Sequence, residues 1–387
     1  MAVSLNTDAF KIQRLCLIFS GMWPSRDSSR LYRFYGDAQY FMLFVFGLSL
    51  LLGIFILEDL AEIVQAWATF IAVINCCVKF SIFYFKRPVF LDLLDFLKSP
   101  HFFYHKEDVD HHLKKIIDFA IAVVKLFLCS CTITVICMIT APLFAKGKRK
   151  TPFPFPLDFK KHSLAIYVSV YMYQSVVLVV AGSSSVGFDN LSTSMMGLCS
   201  AYFAILTETI ISTTRKLQRT RNIHSYKKFD KEIYHDLSKC IEHHLAVIKF
   251  TETIEHIFSY VFLSQFLSSA FGICLTGFTS VSSKPGSVEF MFALTFLCTL
   301  MFQITLYCSY GNEVTLQSYK VLEACYMTEW IYCGSEVRKN LFLIMERSKR
   351  PMVLTAGKFI NLSLTSLVSV FRSAASYAVV LYQLYNA

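Results

Sequence analysis

The sequence predicts an all-α protein of seven membrane-spanning helices, on three observations. Apolar residues fill 55% of the 387 positions and charged residues 17%, against roughly 45–50% and about 25% in soluble proteins. Seven regions stay apolar and largely uncharged for close to the ~20 residues a helix needs to cross ~30 Å of hydrocarbon. Lys and Arg collect in alternate connecting segments, as loops on the cytosolic side do.

The spans are read in order. Ala38–Leu57 is the first. Ile63–Val78 is short and is expected to continue through Lys79 to Phe85, with the lysine snorkelling towards the cytosolic head groups. Leu126–Ala145 is the third. In the fourth region Ser163–Phe188 and Asn190–Thr207 are parted only by Asp189, so it is either two spans or one long helix running out into water. Ile257–Ser283 and Phe290–Asn312 follow, and Phe359–Leu384, interrupted by Arg372, closes the set. Asp189 is expected to mark a meeting with neighbouring helices or water, because an isolated charge at mid-bilayer costs about 2.5–3.5 kcal/mol.

Charge bias decides the fourth region. Counted once, it leaves 28 Lys and Arg in one set of alternate segments and 7 in the other. This predicts a cytosolic N-terminus and an external C-terminus. The basic stretch Lys146-Gly-Lys-Arg-Lys150 falls on the wrong side, but splitting the fourth region would misplace far more charge.

The net charge of +10 is therefore topological. There is no basic face with a stacking platform, which excludes nucleic acid as a partner. The apolar run Leu15–Met22 is only eight residues long, meets Trp23-Pro24 and is followed by no small-residue cleavage site, which speaks against a signal peptide. It reads as a cytosolic amphipathic segment resting on the membrane. Of thirteen cysteines, four are cytosolic (Cys16, Cys240, Cys325, Cys333) and nine lie in spans, so they are expected as free thiols. His101/His105, His111-His112 and His243-His244 sit in polar segments without a ligand set and are expected to be solvated or interfacial. Phosphate-binding, dinucleotide, zinc-protease and hydrolase motifs are missing, so neither an enzyme nor a cofactor is expected.

Two receptor classes remain. A G-protein-coupled receptor would place its N-terminus outside, and the external loops here lack cysteine. The C-terminal quarter points elsewhere. Ser335–Arg350 is amphipathic, with Val337, Leu341 and Met345 on one face. Ser348-Lys-Arg-Pro351, Leu354-Thr-Ala-Gly-Lys-Phe359, Leu362-Ser-Leu364 and Ser376-Tyr377 follow, after Tyr307-Cys-Ser-Tyr-Gly-Asn312, Ser318, Ala324, Tyr326 and Trp330. This order and spacing resembles the signature of the insect odorant receptor family, as do the inverted topology and the Pro-rich Thr151–Asp158. Arg350, where that family more often has lysine after glutamine, and Ala374-Ala375 depart from the common form. The chain is too short for the shared co-receptor, which carries a longer loop between its fourth and fifth helices.

The resemblance implies an odorant-specific subunit that joins the co-receptor in a tetrameric, ligand-gated, non-selective cation channel in the plasma membrane of olfactory neurons. It divides the chain into a cytosolic segment (1–36), spans and ligand pocket (37–304), cytosolic anchor (305–358) and pore helix (359–387). It places a pocket for a volatile apolar odorant in the outer half of the bundle, among helices two, three, four and six. The candidates there are Trp67, Phe70, Ile71, Met138, Tyr167, Tyr171, Gln174, Ser175, Met291 and Leu294. The closing stretch Ser376–Leu384 matches the family's without a gap and puts the gate at Val380 and Leu384, with Gln383 as the polar position beside them. Arg372 is expected to face a neighbouring helix or a wide vestibule, since a ring of arginines would repel cations.

Overall fold

The computed structural model of the protein describes residues 10–23, 25–26, 28–102, 107–144, 151–156, 163–215 and 223–386. The basic run 146–150 and His105 lie outside these residues, as do the side chains of His111 and His112. A short α1 (Lys11–Phe19) precedes the membrane-length helices α2 (Arg30–Ile54), α3 (Leu60–Phe96), α4 (Glu107–Thr140), α5 (Leu164–Arg215), α6 (Ile223–Ser282) and α7 (Val288–Tyr326). Then come α8 (Ser335–Ser348), a two-residue-per-strand antiparallel hairpin of β1 (Thr355–Ala356) and β2 (Ile360–Asn361), and α9 (Leu364–Asn386). Seven of the helices are long and apolar enough to cross a membrane.

The fourth region is a single unbroken helix of 52 residues, about 78 Å at 1.5 Å per residue. Every residue from 186 to 203 is buried. A stretch buried on every side lies in the middle of a bundle, and this part of α5 is that centre, with the helix packed on α7, α6 and α4. At 60 residues α6 is longer still. Both helices outrun the ~30 Å of hydrocarbon, and beyond it α6, α7 and α8 pack together through Leu237, Cys240, Val321, Cys325, Val337, Leu341 and Ile344.

Three expectations are corrected here. The first concerns α1, which does not simply lie on the membrane. Leu17 is fully buried, and Gln13 Nε2 donates to Ser194 Oγ of α5 over 2.8 Å. Gly187 makes that seat, because a Cβ there would come within 2.8 Å of Leu17. Leu15, Ile18 and Phe19 are its large apolar side chains left exposed. The second is His243 and His244, which are buried instead of solvated. His243 lies against Phe102 and Tyr202 with Nδ1 2.7 Å from the His101 carbonyl, and His244 lies against Phe203. The long α6 carries both into the junction with α5, where aromatic rings exclude water. The third is the last span, which starts at Leu364 and not Phe359, because residues 355–361 pair as the hairpin and leave Phe359 exposed.

The signature residues of the C-terminal quarter build that joint. Ser318 Oγ accepts from the Met352 amide at 3.0 Å, and Gly357 N donates to the Ser259 carbonyl at 2.9 Å. Thr355 Oγ1 donates to Glu255 at 2.6 Å, while Ser259 Oγ donates back to the Thr355 carbonyl at 3.0 Å. Gly357 and Lys358 turn the hairpin with φ of 61° and 64°, a region that glycine enters without strain. The thirteen cysteines are free.

Candidate functional site

The charged centre of the bundle lies where α3, α5 and α7 meet. Lys79 was expected to snorkel, yet it is 1% exposed and sits 2.5 Å from Asp189 Oδ1, also 1% exposed. Tyr307 donates its hydroxyl to the same oxygen at 2.7 Å, and Gln303 Nε2 donates to Oδ2. Ser192 adds a 3.3 Å bond to the Tyr307 hydroxyl. The reason is local: α5 is buried all round over residues 186–203, so its aspartate has no route to water, and a buried charge persists only with an opposite charge and hydrogen bonds around it. Asp189 thus meets neighbouring helices, one of the two alternatives the sequence left open. Sequence reasoning missed the pairing itself. Its signal was one Lys and one Asp, each alone in an apolar run.

The ten candidate pocket residues all lie within eleven positions of helix ends at one end of the bundle: the starts of α3, α5 and α7 and the finish of α4. That is ~17 Å of helix or less. Trp67 and Phe70 meet edge-on at 5.5 Å, and Tyr167 and Tyr171 pack at 5.9 Å. Tyr171 donates its hydroxyl to the Ile139 carbonyl, next to the buried Met138. Ser175 Oγ bonds the Tyr171 carbonyl. Ile71 is half-buried, while Met291 and Leu294 are exposed at the start of α7. Gln174 is fully buried with its amide spent on the Pro-rich loop, accepting from Phe153 N at 3.1 Å and donating to its carbonyl at 3.2 Å. Phe153 also meets Phe46 edge-on at 5.7 Å, and Gly53 admits the Pro154 carbonyl where a Cβ would come within 2.6 Å. The loop is thus a plug over this end of the bundle. Two cavities open elsewhere, near the start of α2, and neither is lined by any of the ten.

On α9, Leu367, Ala374, Ala378 and Leu381 turn towards α6 and α7. The opposite face is uncovered. It carries Thr365, Ser369, Arg372, Ser373 and Ser376, then Val380, Gln383 and Leu384. Val380 and Leu384 are four residues apart and so lie one above the other on a helix.

A buried central helix, long extensions at one end only and an exposed last helix behind a hairpin make a recognisable architecture. The family model described as 7tm odorant receptor matches residues 59–375. The chain belongs to this family. Odorant receptor 94a of Drosophila melanogaster is 27% identical over 251 residues, covering 64% of this chain and 61% of that protein. Odorant receptor 22c of the same fly is 24% identical over 399 residues, 96% of each chain. The insect olfactory receptor OR5 from Machilis hrabei, solved in complex with eugenol, shares the fold with a TM-score of 0.83 over 99% of both chains, at 16% identity. As an insect odorant receptor the chain is a multi-pass membrane protein and not an enzyme. The G-protein-coupled alternative finds no support in this match.

Proposed function

We propose that this receptor is the odorant-tuned subunit of a ligand-gated, non-selective cation channel, assembled with the shared co-receptor as a heterotetramer in the plasma membrane of olfactory sensory neurons. The observation that carries the reading is the uncovered face of α9. Its hydroxyls at Thr365, Ser369, Ser373 and Ser376 suit a water-lined wall, and a single helix in lipid gains nothing from exposing four of them. Val380 and Leu384 continue the face as a ring that closes by excluding water, with Gln383 offering a neutral polar contact to permeating cations. Arg372 lies beside the hydroxyls and faces a neighbouring subunit's helix or a wide vestibule. The ten residues at the plugged end form the odorant pocket, whose aromatic and aliphatic walls fit a volatile apolar molecule. The N-terminus and the α8 end of the bundle are cytosolic, and the remaining outer surface meets lipid.

Co-expression with the co-receptor under voltage clamp, with a panel of volatiles, tests the reading. It requires odour-evoked cation current that persists when G proteins are blocked. Val380→Ser or Leu384→Ser raises the resting current, and Gln383 substitutions change relative cation permeability. Current that disappears with G-protein blockade, or gate variants without effect, overturns it.

A further inference from the structure

A cavity of about 170 Å³ opens between the start of α2 and the far half of α3. Its walls are Tyr32, Arg33, Gly36 and Asp37 from α2, and Phe80, Phe83, Tyr84 and Arg87 from α3. Phe188 of α5 and the strap Gly21-Met22-Trp23 close it. The strap fits because Gly36 has no side chain: a Cβ there would lie 2.5 Å from the Gly21 carbonyl oxygen. The position is the polar fringe of the membrane, where the apolar run of α2 begins at Ala38 and that of α3 ends at Phe85.

Two guanidinium groups share this cavity without a carboxylate within 4.0 Å of either among the described residues. Arg87 is half-buried and spends one terminal nitrogen on the Ser25 carbonyl at 2.8 Å and Ser28 Oγ at 3.0 Å. Arg33 spends only its Nε, on Ser28 Oγ at 3.1 Å. A guanidinium has five N–H donors, so the other terminal nitrogen and the Nε of Arg87, and both terminal nitrogens of Arg33, have no protein acceptor among the described residues. Among the described residues, Asp37 on the same wall leaves the lining one positive charge in excess. A phosphodiester carries one negative charge and offers oxygens in the geometry that paired guanidiniums bind best. Beside the cavity Leu31, Phe34, Tyr84 and Phe85 are strongly exposed, a surface for acyl chains. A cavity of ~150 Å³ takes a benzene-sized group, so this one has room for a phosphate and its first carbons.

We infer that the cavity is a binding site for the phosphate of a membrane phospholipid, held by Arg33 and Arg87 between the strap, α2 and α3. The site lies apart from the odorant pocket and the gate, and it ties the N-terminal strap to the bundle through a lipid. Native mass spectrometry of the full-length, delipidated receptor with added phosphatidylglycerol tests it, with diacylglycerol as the probe that lacks phosphate. One phosphatidylglycerol and no diacylglycerol is expected to remain bound, with Arg33→Gln weakening binding about tenfold or more and Arg33→Lys much less. Arg33 is exposed and makes a single hydrogen bond, so Arg33→Gln is expected to melt like the wild type without lipid. Arg30→Gln, an exposed arginine outside the cavity, leaves binding unchanged. Equal retention of diacylglycerol, equal loss in Arg30→Gln, or full retention in Arg33→Gln overturns the inference. So does inorganic phosphate raising the melting temperature as much as phosphatidylglycerol does, which would make this a site for a soluble anion.

Discussion

Lys79 and Asp189 each sit in a helix that could span the membrane without them, and each is tolerable only because the other is there. Removing one partner of a buried ion pair leaves an uncompensated charge and costs about 3–5 kcal/mol, whereas replacing both by apolar residues of similar volume is often neutral. Lys79→Met alone and Asp189→Leu alone are each expected to lower the melting temperature of the purified receptor sharply. The double variant is expected to recover most of the loss, and a double variant as unstable as either single one would show that the pair does not act as a unit. Gln174 presents a second residue-scale case. Its two hydrogen bonds to Phe153 hold the plug over the proposed pocket, each contributing about 1 kcal/mol. Gln174→Leu should therefore speed amide exchange at Phe153 and shift the odorant concentration for half-maximal current; unchanged exchange would mean that the loop is held by Phe46 and Gly53 alone.

Among the elements, α1 is the one whose role depends on contacts far along the chain. It is nine residues long, too short to be stable by itself in water, and it gains its order from Leu17 against Gly187 and Gln13 against Ser194. Truncating a buried leucine costs about 2–5 kcal/mol, more than a helix of this length can lose. Leu17→Ala is expected to raise amide exchange over residues 11–19 while leaving α6 and α7 protected. Loss of protection throughout the bundle would instead make α1 part of the global core. The hairpin before α9 is tied to α6 and α7 by side chains that the C-terminal signature contains, so Ser318→Ala strands the Met352 amide. The amide is part-buried, so the loss is at the lower end of the ~1–3 kcal/mol that a stranded donor costs, and the expected result is local loosening of residues 350–362 in the same measurement.

For the whole molecule, the proposed orientation rests on charge asymmetry. Basic residues concentrate at the end of the bundle where α5, α6 and α7 extend, and a cytosolic position for that end follows from this bias as an expectation. A cell-impermeant label is expected to reach a tag on the C-terminus of intact cells and to reach an N-terminal tag only after permeabilisation. Asn190 is 1% exposed and cannot be glycosylated in the folded chain, and Asn361, in the hairpin, is expected to stay unmodified on the cytosolic side. Labelling of the N-terminal tag on intact cells would invert the assignment.

Which segments cross the membrane was decided by the sequence itself, because insertion depends on apolar run length and flanking charge, both one-dimensional quantities. The unbroken α5 followed from the same charge bias, and the amphipathic α8 from its four-residue apolar repeat. What only the tertiary structure decided is which side chains meet. The pairing of Lys79 with Asp189 spans 110 positions, and no periodicity on either helix encodes it. His243 and His244 look solvated in a polar stretch and are buried because α6 carries them under the rings of Phe102, Tyr202 and Phe203. The phosphate cavity likewise exists only once the strap crosses Gly36 and brings Arg33 and Arg87 to one opening. Each of these is a coincidence of distant segments in space, settled by how helices of fixed length pack round a central one.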